Sequence, residues 1–365
     1  MSDILTIASR SGNYDVTFIE NFAEVLNNRY EKDTFFIIDE RLIELYKDSF
    51  TSVLNKECYI PVEVKEQHKT FDYCQHLIQA LIDKNIRKNF SLVALGGGIV
   101  QDITGFISSI LFRGIRWEFF PTTLLAQADS CVGSKTSINF NEYKNLLGNF
   151  YPPSNIYIDA RFLETLQVSE IKSGIGEILH FFMIANSPLL IRLADHYDEL
   201  LSYPGMLKDY IIESLNIKKK VIEIDEYDRN ERNVFNYGHT FGHAIETVSQ
   251  YNVSHGQAVT MGMDIANFVS LQRGKLGERD FEYMHNLLLK NMPMLHLPAD
   301  MIEDYFTALS KDKKNIGKNL GCILSSGLGA MQKAQIPLDE KLKKIIIGYF
   351  ETYGSEKRKV AYREP

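Results

Sequence analysis

SLVALGGGIVQD occupies residues 91–102, and its reading sets the fold class. Ser91–Leu95 is a short apolar run of the kind that forms a strand buried on both faces. Three glycines follow at once, Gly96, Gly97 and Gly98, and the residues through Asp102 open what reads as a helix. Glycines at such a junction let a phosphate approach the backbone closely, and a helix N-terminus favours its negative charge. They equally suit a tight strand–helix turn that binds nothing. The spacing is not GxGxxG, so the ordinary dinucleotide fingerprint does not apply.

Working outward, the same strand–turn–helix rhythm recurs. Thr34–Asp39 (TFFIID) reads as a buried strand ending in a carboxylate, and Tyr73–Ile86 carries apolar residues at helical spacing. Trp117–Phe120 precedes Pro121-Thr122-Thr123, and Asn155–Ile158 is a further strand. This alternation predicts a mostly parallel, Rossmann-like sheet with helices on its faces. After Asp159 the pattern becomes longer and helical: Glu170–Ala185, Gly205–Glu223, Gly238–Gln250, His255–Arg273 and Lys341–Tyr353. We therefore expect an α/β domain over 1–162, an all-α domain over 163–365, and a site in the cleft between them.

Composition agrees with a two-domain globular protein. The chain has 365 residues, of which 45% are hydrophobic and 24% charged, which excludes a disordered or fibrous chain. Its 40 Lys and Arg against 47 Asp and Glu give a net charge of −7, poor for generic nucleic-acid binding. Cys58, Cys74, Cys131 and Cys322 form no CxxC pair and read as reduced thiols of a cytoplasmic protein. The start, MSDILTIASRSGNYD, lacks a basic segment followed by an apolar core, and no apolar run is long enough for a membrane helix.

Three further stretches carry chemistry. In YGHTFGHAIE (237–246), His239 and His243 stand four apart and share a helix face; His255 opens the next helix, and Glu177 lies in the helical run GIGEIL. Two imidazoles and a carboxylate with an open position suit a catalytic zinc, whereas a pair of helix histidines satisfied by hydrogen bonds is the plainer account. QADSCVGSKTSINFNEYKN (127–145) gathers Asp129, Lys135, Lys144 and Asn145 among small residues; it suits phosphate, or else is a solvated loop. Lys218-Lys219-Lys220, Arg232 and Lys313-Lys314 are basic clusters that serve either as solvated faces or as walls of an anion pocket.

Taken together, GGGIVQD (96–102), RGIRWEFFPTTLLAQADSCVGSKTSIN (113–139), YKNLLGNFYPP (143–153), GIGEIL (174–179), RNVFNYGHTFGHAIE (232–246), HGQAV (255–259) and KDKKN (311–315) resemble the 3-dehydroquinate synthase family and the wider sugar phosphate cyclases. The likeness runs from about Asp39 to Gly321, most of the chain. It implies cyclisation of 3-deoxy-D-arabino-heptulosonate 7-phosphate to 3-dehydroquinate, by transient oxidation, β-elimination of phosphate, reduction and aldol closure. It implies NAD, a divalent metal (zinc, with cobalt as the second option) and a homodimer.

Residue by residue, the resemblance puts the metal on Glu177, His239 and His255 and makes His243 a pocket histidine. Asp39, Glu66, Lys69, Gly97, Gly98, Asp102, Thr122 and Thr123 fall on NAD-contacting positions. Asp129, Lys135, Lys144, Asn145, Lys218, Arg232, Asn236 and Lys313 fall on substrate-pocket positions, with Asp129, Lys135, Lys218 and His243 expected to take part in catalysis. Arg113 matches an arginine that reaches the neighbouring subunit's site. His180 is a departure, because a pocket lysine is usual there; Ser134 and Arg41 replace a usual glycine and asparagine. Arg232 and Lys313 favour a substrate bearing a carboxylate over neutral sedoheptulose 7-phosphate or glucose 6-phosphate, and His180 weighs the other way. The rivals are another cyclase of the family (aminodehydroquinate, 2-epi-5-epi-valiolone or 2-deoxy-scyllo-inosose synthase-like), a glycerol-dehydrogenase-like enzyme, and a silent homologue used for binding.

Overall fold

The structure, a computed structural model, describes residues 4–30, 33–55, 57–141, 143–295, 297, 299–312 and 314–354. They divide into two compact units, 1–167 with 203–227, and 168–202 with 228–365. The sequence reading carries the helix near Lys218 with the second part of the chain; the contacts group it with the first.

Among the described residues the first unit holds nine strands: β1 Ile4–Ile7, β2 Tyr14–Phe18, β3 Thr34–Asp39, β4 Tyr59–Val62, β5 Ser91–Gly96, β6 Arg116–Pro121, β7 Lys135–Phe140, β8 Tyr143–Phe150 and β9 Asn155–Ile158. Seven form one sheet in the order β1-β2-β9-β6-β5-β3-β4, parallel throughout except for the β1–β2 edge pair. In β3 every residue is buried, and in β5 and β6 all but the first, because helices cover both faces. Phe36, Ile38, Val93, Leu95, Phe120, Tyr157 and Phe162 make the core on one face. β3 ends at Asp39, β5 at Gly96 and β6 at Pro121, so these loops lie at the carboxyl edge, where parallel sheets bind ligands.

Residues 127–145 are not a solvated loop. They contain a π-type turn at Ala126–Ser130 and then the antiparallel hairpin β7–β8. KTSINF alternates well enough to bury Thr136 and Ile138, and this two-residue period outweighs the polar composition.

The second unit is mainly helical, with its principal helices at Val168–Ala185, His239–Val248, His255–Gln272, Glu278–Leu288 and Glu340–Tyr353. It also carries a hairpin that the helical reading passed over: β10 (Asn319–Ser325) pairs with β11 (Met331–Pro337). Among the described residues no helix is long and apolar enough to cross a membrane.

Candidate active site

Three helices of the second unit supply one donor cluster. Glu177 lies in the Val168–Ala185 helix, His239 at the start of His239–Val248 and His255 at the start of His255–Gln272. Glycine brings them together. A Cβ on Gly176 would fall 2.1 Å from the carbonyl oxygen of Gly256, and one on Gly256 would fall 1.8 Å from that of Ser173. A Cβ on Gly262 would lie 2.1 Å from the Gly238 carbonyl oxygen. The Glu177 and His255 helices, and likewise the His239 and His255 helices, therefore pack at backbone contact, a separation no larger residue permits.

Glu177 Oε1 stands 3.2 Å from His255 Nε2 and 3.6 Å from His239 Nε2. Metal–donor bonds of about 2.0–2.1 Å give a tetrahedron with edges of roughly 3.3 Å, which these separations bracket. Glu177 Oε1 is buried and accepts no hydrogen bond of good geometry among the described residues, so its lone pairs remain aimed at the space between the imidazoles. His239 Nδ1 faces the Tyr237 carbonyl at 3.2 Å, which leaves Nε2 as the inward donor. The donor set fits a divalent metal. Burial alone would raise the Glu177 carboxyl, but the charge of His239 and the close contacts of His255 and His180 hold it well below the usual carboxylate range. Burial, opposed by Glu177, lowers His239 to about 4.

His243, one turn beyond His239, is exposed, with its ring 5.5 Å from that of His239 and 5.9 Å from that of His255. It joins Glu246 and His255 in a second donor group. His180 is fully buried, with Nδ1 3.5 Å from Glu177 Oε2 and its ring packed against Phe181, Phe235 and Tyr237. Position 180 thus faces the carboxylate of the donor cluster. Arg232 is buried in the Glu231–Asn236 turn. Asn236 donates to the Asn233 carbonyl, and its Oδ1 lies 3.5 Å from Lys314 Nζ. Lys313 lies outside the described residues. Its neighbour Lys314, tied to Asp312 at 3.1 Å, is a cation that residue-by-residue assignment did not single out. Glu246 was missed in the same way, although it ends the quoted run YGHTFGHAIE.

In the first unit, Gly97 caps the Gly98–Ile110 helix at the end of β5. A Cβ on Gly97 would meet Thr123 at 2.9 Å, whereas one on Gly98 would meet only Ser130, at 3.8 Å. Thr122 is buried and its N–H donates to the Gly96 carbonyl, and Thr123 Oγ1 accepts from Ala126 N–H. Backbone and small side chains thus leave a cradle at a helix N-terminus, as a pyrophosphate needs. Four other expected residues form one network. Lys69, buried, donates to Asp102 Oδ2 at 2.9 Å and to Asn145 Oδ1 at 2.5 Å, with Glu66 Oε1 3.9 Å away. Asp102 also accepts from the Ser137 N–H, and Asn145 N–H donates to Asn139 Oδ1. Asp39, buried, accepts from the Arg41 N–H and is gripped through both oxygens by the Arg41 guanidinium. A donor thus sits on the carboxylate where the family commonly has an asparagine.

Lys218 reaches from the Lys208–Ile222 helix to Asp129, bonding Oδ1 at 2.7 Å and the carbonyl at 2.6 Å. Lys135 and Lys144 are exposed on the β7–β8 hairpin. Ser134, in the left-handed region at φ +63°, donates to Glu226 Oε1 at 2.7 Å, a bond that helps hold a serine where glycine is usual. Arg113 is also left-handed, at φ +67° beside Phe112 at +52°; such strain persists where the surroundings fix a functional geometry.

Similarity to known proteins establishes the family. The model for the 3-dehydroquinate synthase N-terminal domain matches residues 59–173, and that for the C-terminal domain matches 174–315. The 3-dehydroquinate synthase of Helicobacter pylori (strain P12) is 38% identical over 77% of this chain and 81% of its own. That of Thermoanaerobacter sp. (strain X514) is 33% identical over 93% of this chain and 99% of its own. A 2-deoxy-scyllo-inosose synthase, solved with carbaglucose-6-phosphate, NAD+ and Co2+, shares the fold with a TM-score of 0.84 at 24% identity, over 96% of this chain and all of that one. The 2-epi-5-epi-valiolone synthase of Streptomyces hygroscopicus subsp. jinggangensis 5008, with NAD+ and Zn2+ bound, has a TM-score of 0.81 at 23% identity, over 94% of this chain and 99% of that one. An iron-containing alcohol dehydrogenase lies further off, at 0.61 and 13% over 96% and 99% of the two chains. Matched through both of its domain models and by relatives spanning most of its length, the chain belongs to the 3-dehydroquinate synthase family and is an enzyme of its phosphate-eliminating, cyclising type.

Proposed function

We propose that this chain converts 3-deoxy-D-arabino-heptulosonate 7-phosphate to 3-dehydroquinate with release of phosphate, using NAD and a divalent metal, zinc in the first instance. The observation that carries the reading is the convergence of Glu177, His239 and His255, with two imidazole Nε2 atoms facing one buried carboxylate oxygen. When bound, NAD supplies hydride transfer at the substrate hydroxyl and the metal supplies Lewis-acid polarisation of the substrate oxygens.

The chain's own residues do the rest. Gly97, Gly98, Thr122 and Thr123 receive the dinucleotide's phosphates at the end of β5, and Asp39, Glu66, Lys69 and Asp102 orient its remaining polar groups. Lys135, Lys144, Asn145 and Asn236, with Arg113 of the partner subunit, hold the substrate phosphate in the proposed homodimer. Lys218, Arg232 and Lys313 neutralise its carboxylate. Asp129 and His243 orient hydroxyls and move protons. Asp129 suits this task, because its salt bridge to Lys218 fixes the carboxylate. The enzyme then serves aromatic amino-acid synthesis by the shikimate route in the cytoplasm.

His180 favours a second reading, a cyclase acting on a neutral sugar phosphate, because the position of a usual pocket lysine holds a buried imidazole. Phosphate release distinguishes them. With NAD and zinc supplied, the keto acid should turn over rapidly and yield 3-dehydroquinate. Release only from sedoheptulose 7-phosphate or glucose 6-phosphate would overturn the first reading in favour of the second.

A further inference from the structure

Each proposed imidazole ligand has two nitrogens, and only one can face the metal. For His239 the other, Nδ1, is taken by the Tyr237 carbonyl at 3.2 Å. For His255 it is taken by a carboxylate: Nδ1 stands 3.3 Å from Glu246 Oε1, while Nε2 faces Glu177 at 3.2 Å. Glu246 lies two turns along the helix that begins with His239, and its side chain is only 15% exposed. Metal-ligating histidines commonly donate their second N–H to a carboxylate or carbonyl, which fixes the tautomer and raises the basicity of the ligating nitrogen. The two histidines of this cluster are both arranged in that way, one with each kind of acceptor.

We infer that Glu246 is a positioning residue of the metal site, accepting the Nδ1 proton of His255 so that Nε2 is held toward Glu177, and that it is not itself a ligand. This rests on the metal reading proposed above. The geometry also contains a competing arrangement, in which His243, Glu246 and His255 bind the ion directly. That group lacks the inward, buried carboxylate oxygen that Glu177 presents, and its His243 is exposed.

The test is the dissociation constant for Zn2+, measured on the full chain by chelator competition, together with the visible spectrum of the Co2+ form. Glu246→Leu keeps the volume and removes the acceptor; Glu246→Gln keeps an acceptor oxygen without charge. Zn2+ binding should weaken about 10- to 100-fold in E246L and recover most of that in E246Q, as expected for loss of an outer partner. The Co2+ band should keep its position and intensity in both, since the ligand set is unchanged. Wild-type Zn2+ affinity in E246L overturns the inference, and so does a changed Co2+ coordination spectrum, which would make Glu246 a ligand. If E246L does not fold, Glu246→Ala takes its place with the same expected values. Glu177→Gln separates the two levels: unchanged Zn2+ affinity there would refute the metal reading itself, whereas its loss leaves Glu246 to be judged by its own variants.

Discussion

Replacing Gly256 by alanine tests whether backbone contact between helices builds the donor cluster. The new Cβ would sit 1.8 Å from the Ser173 carbonyl oxygen, against the 3.0 Å below which such contacts essentially never occur, a shortfall of about 1.2 Å. Both atoms are backbone-anchored, so no side chain can swing away, and the two helices must part. Overpacking of this kind costs about 1–3 kcal/mol. At about 2–4 °C per kcal/mol for a unit of this size, the melting temperature should fall by roughly 5 °C. Glu177 and His255 stand on opposite sides of the contact, 3.2 Å apart. Opening it by about 1 Å removes the tetrahedral edge, and Zn2+ affinity should drop at least tenfold, about 1.4 kcal/mol. Gly348→Ala is the control: nothing lies within 4 Å of its Cβ, and it sits inside the Glu340–Tyr353 helix. That variant should be more stable by about 0.5–1 kcal/mol and bind Zn2+ unchanged. The assays are differential scanning calorimetry and chelator competition. A Gly256→Ala protein with wild-type melting temperature and Zn2+ affinity would refute the argument, because it would mean that the helices are not in backbone contact.

Three other perturbations have definite expectations. Lys69→Met leaves Asp102 without the ammonium 2.9 Å away; denaturant titration should show a loss of about 2–3 kcal/mol, less than a fully buried pair because Asp102 is partly open, and NAD affinity should fall with it. The double variant K69M/D102N should recover most of the stability but not the NAD affinity. His180→Lys restores the residue type usual in the family but forces an ammonium into a site 1% exposed, walled by Phe181 and Phe235. It should lower stability by about 1–3 kcal/mol and weaken Zn2+ binding by pairing with Glu177; faster phosphate release from the keto acid would instead show that the usual cation role is available at this position. Burial pushes the Cys74, Cys131 and Cys322 thiols up to about 12, so at pH 8 only about one part in 10⁴ of each is thiolate. Iodoacetamide at pH 8 should therefore label the half-buried Cys58 first, with the other three following only on unfolding, as peptide mass spectrometry would report.

How much was legible in the sequence differs from element to element. The parallel sheet was readable because its central strands are buried on both faces, which writes an unbroken apolar run such as LVAL or FFII. The Glu340–Tyr353 helix was readable because burial on one side leaves a 3.6-residue period, whereas Val168–Ala185 and His255–Gln272, buried nearly all round, were readable from the length of their apolar runs. β7 was harder: KTSINF mixes buried Thr136, Ile138 and Asn139 with exposed Lys135 and Phe140, so its polar composition points to a loop until the partner strand is in view. β10, NLGCILS, was hidden for the opposite reason, a short apolar run that periodicity cannot distinguish from helix. At the site, residue types and family positions marked Glu177, His239 and His255. Neither marks Glu246, and Lys314 was marked only as part of a basic cluster; their relevance lies in what they face across space, one His255 Nδ1, the other Asn236.

The same distinction bears on the one departure that matters most for substrate choice. In the sequence, His180 counts as a cation lost from a substrate pocket. In the structure its ring lies against Glu177 Oε2 while Oε1 faces His239 and His255. One carboxylate is therefore surrounded by three imidazoles, two on one oxygen and one on the other. A lysine three residues after Glu177 would extend past the carboxylate, whereas an imidazole is too short to do so and stops beside it. The substitution thus changes the environment of the carboxylate proposed to hold the metal first and the charge facing a substrate only second. A change of metal affinity or metal preference is accordingly the more direct consequence of His180, and a switch from a keto acid to a neutral sugar phosphate requires changes at Arg232 or Lys218 as well, both of which this chain retains as buried cations.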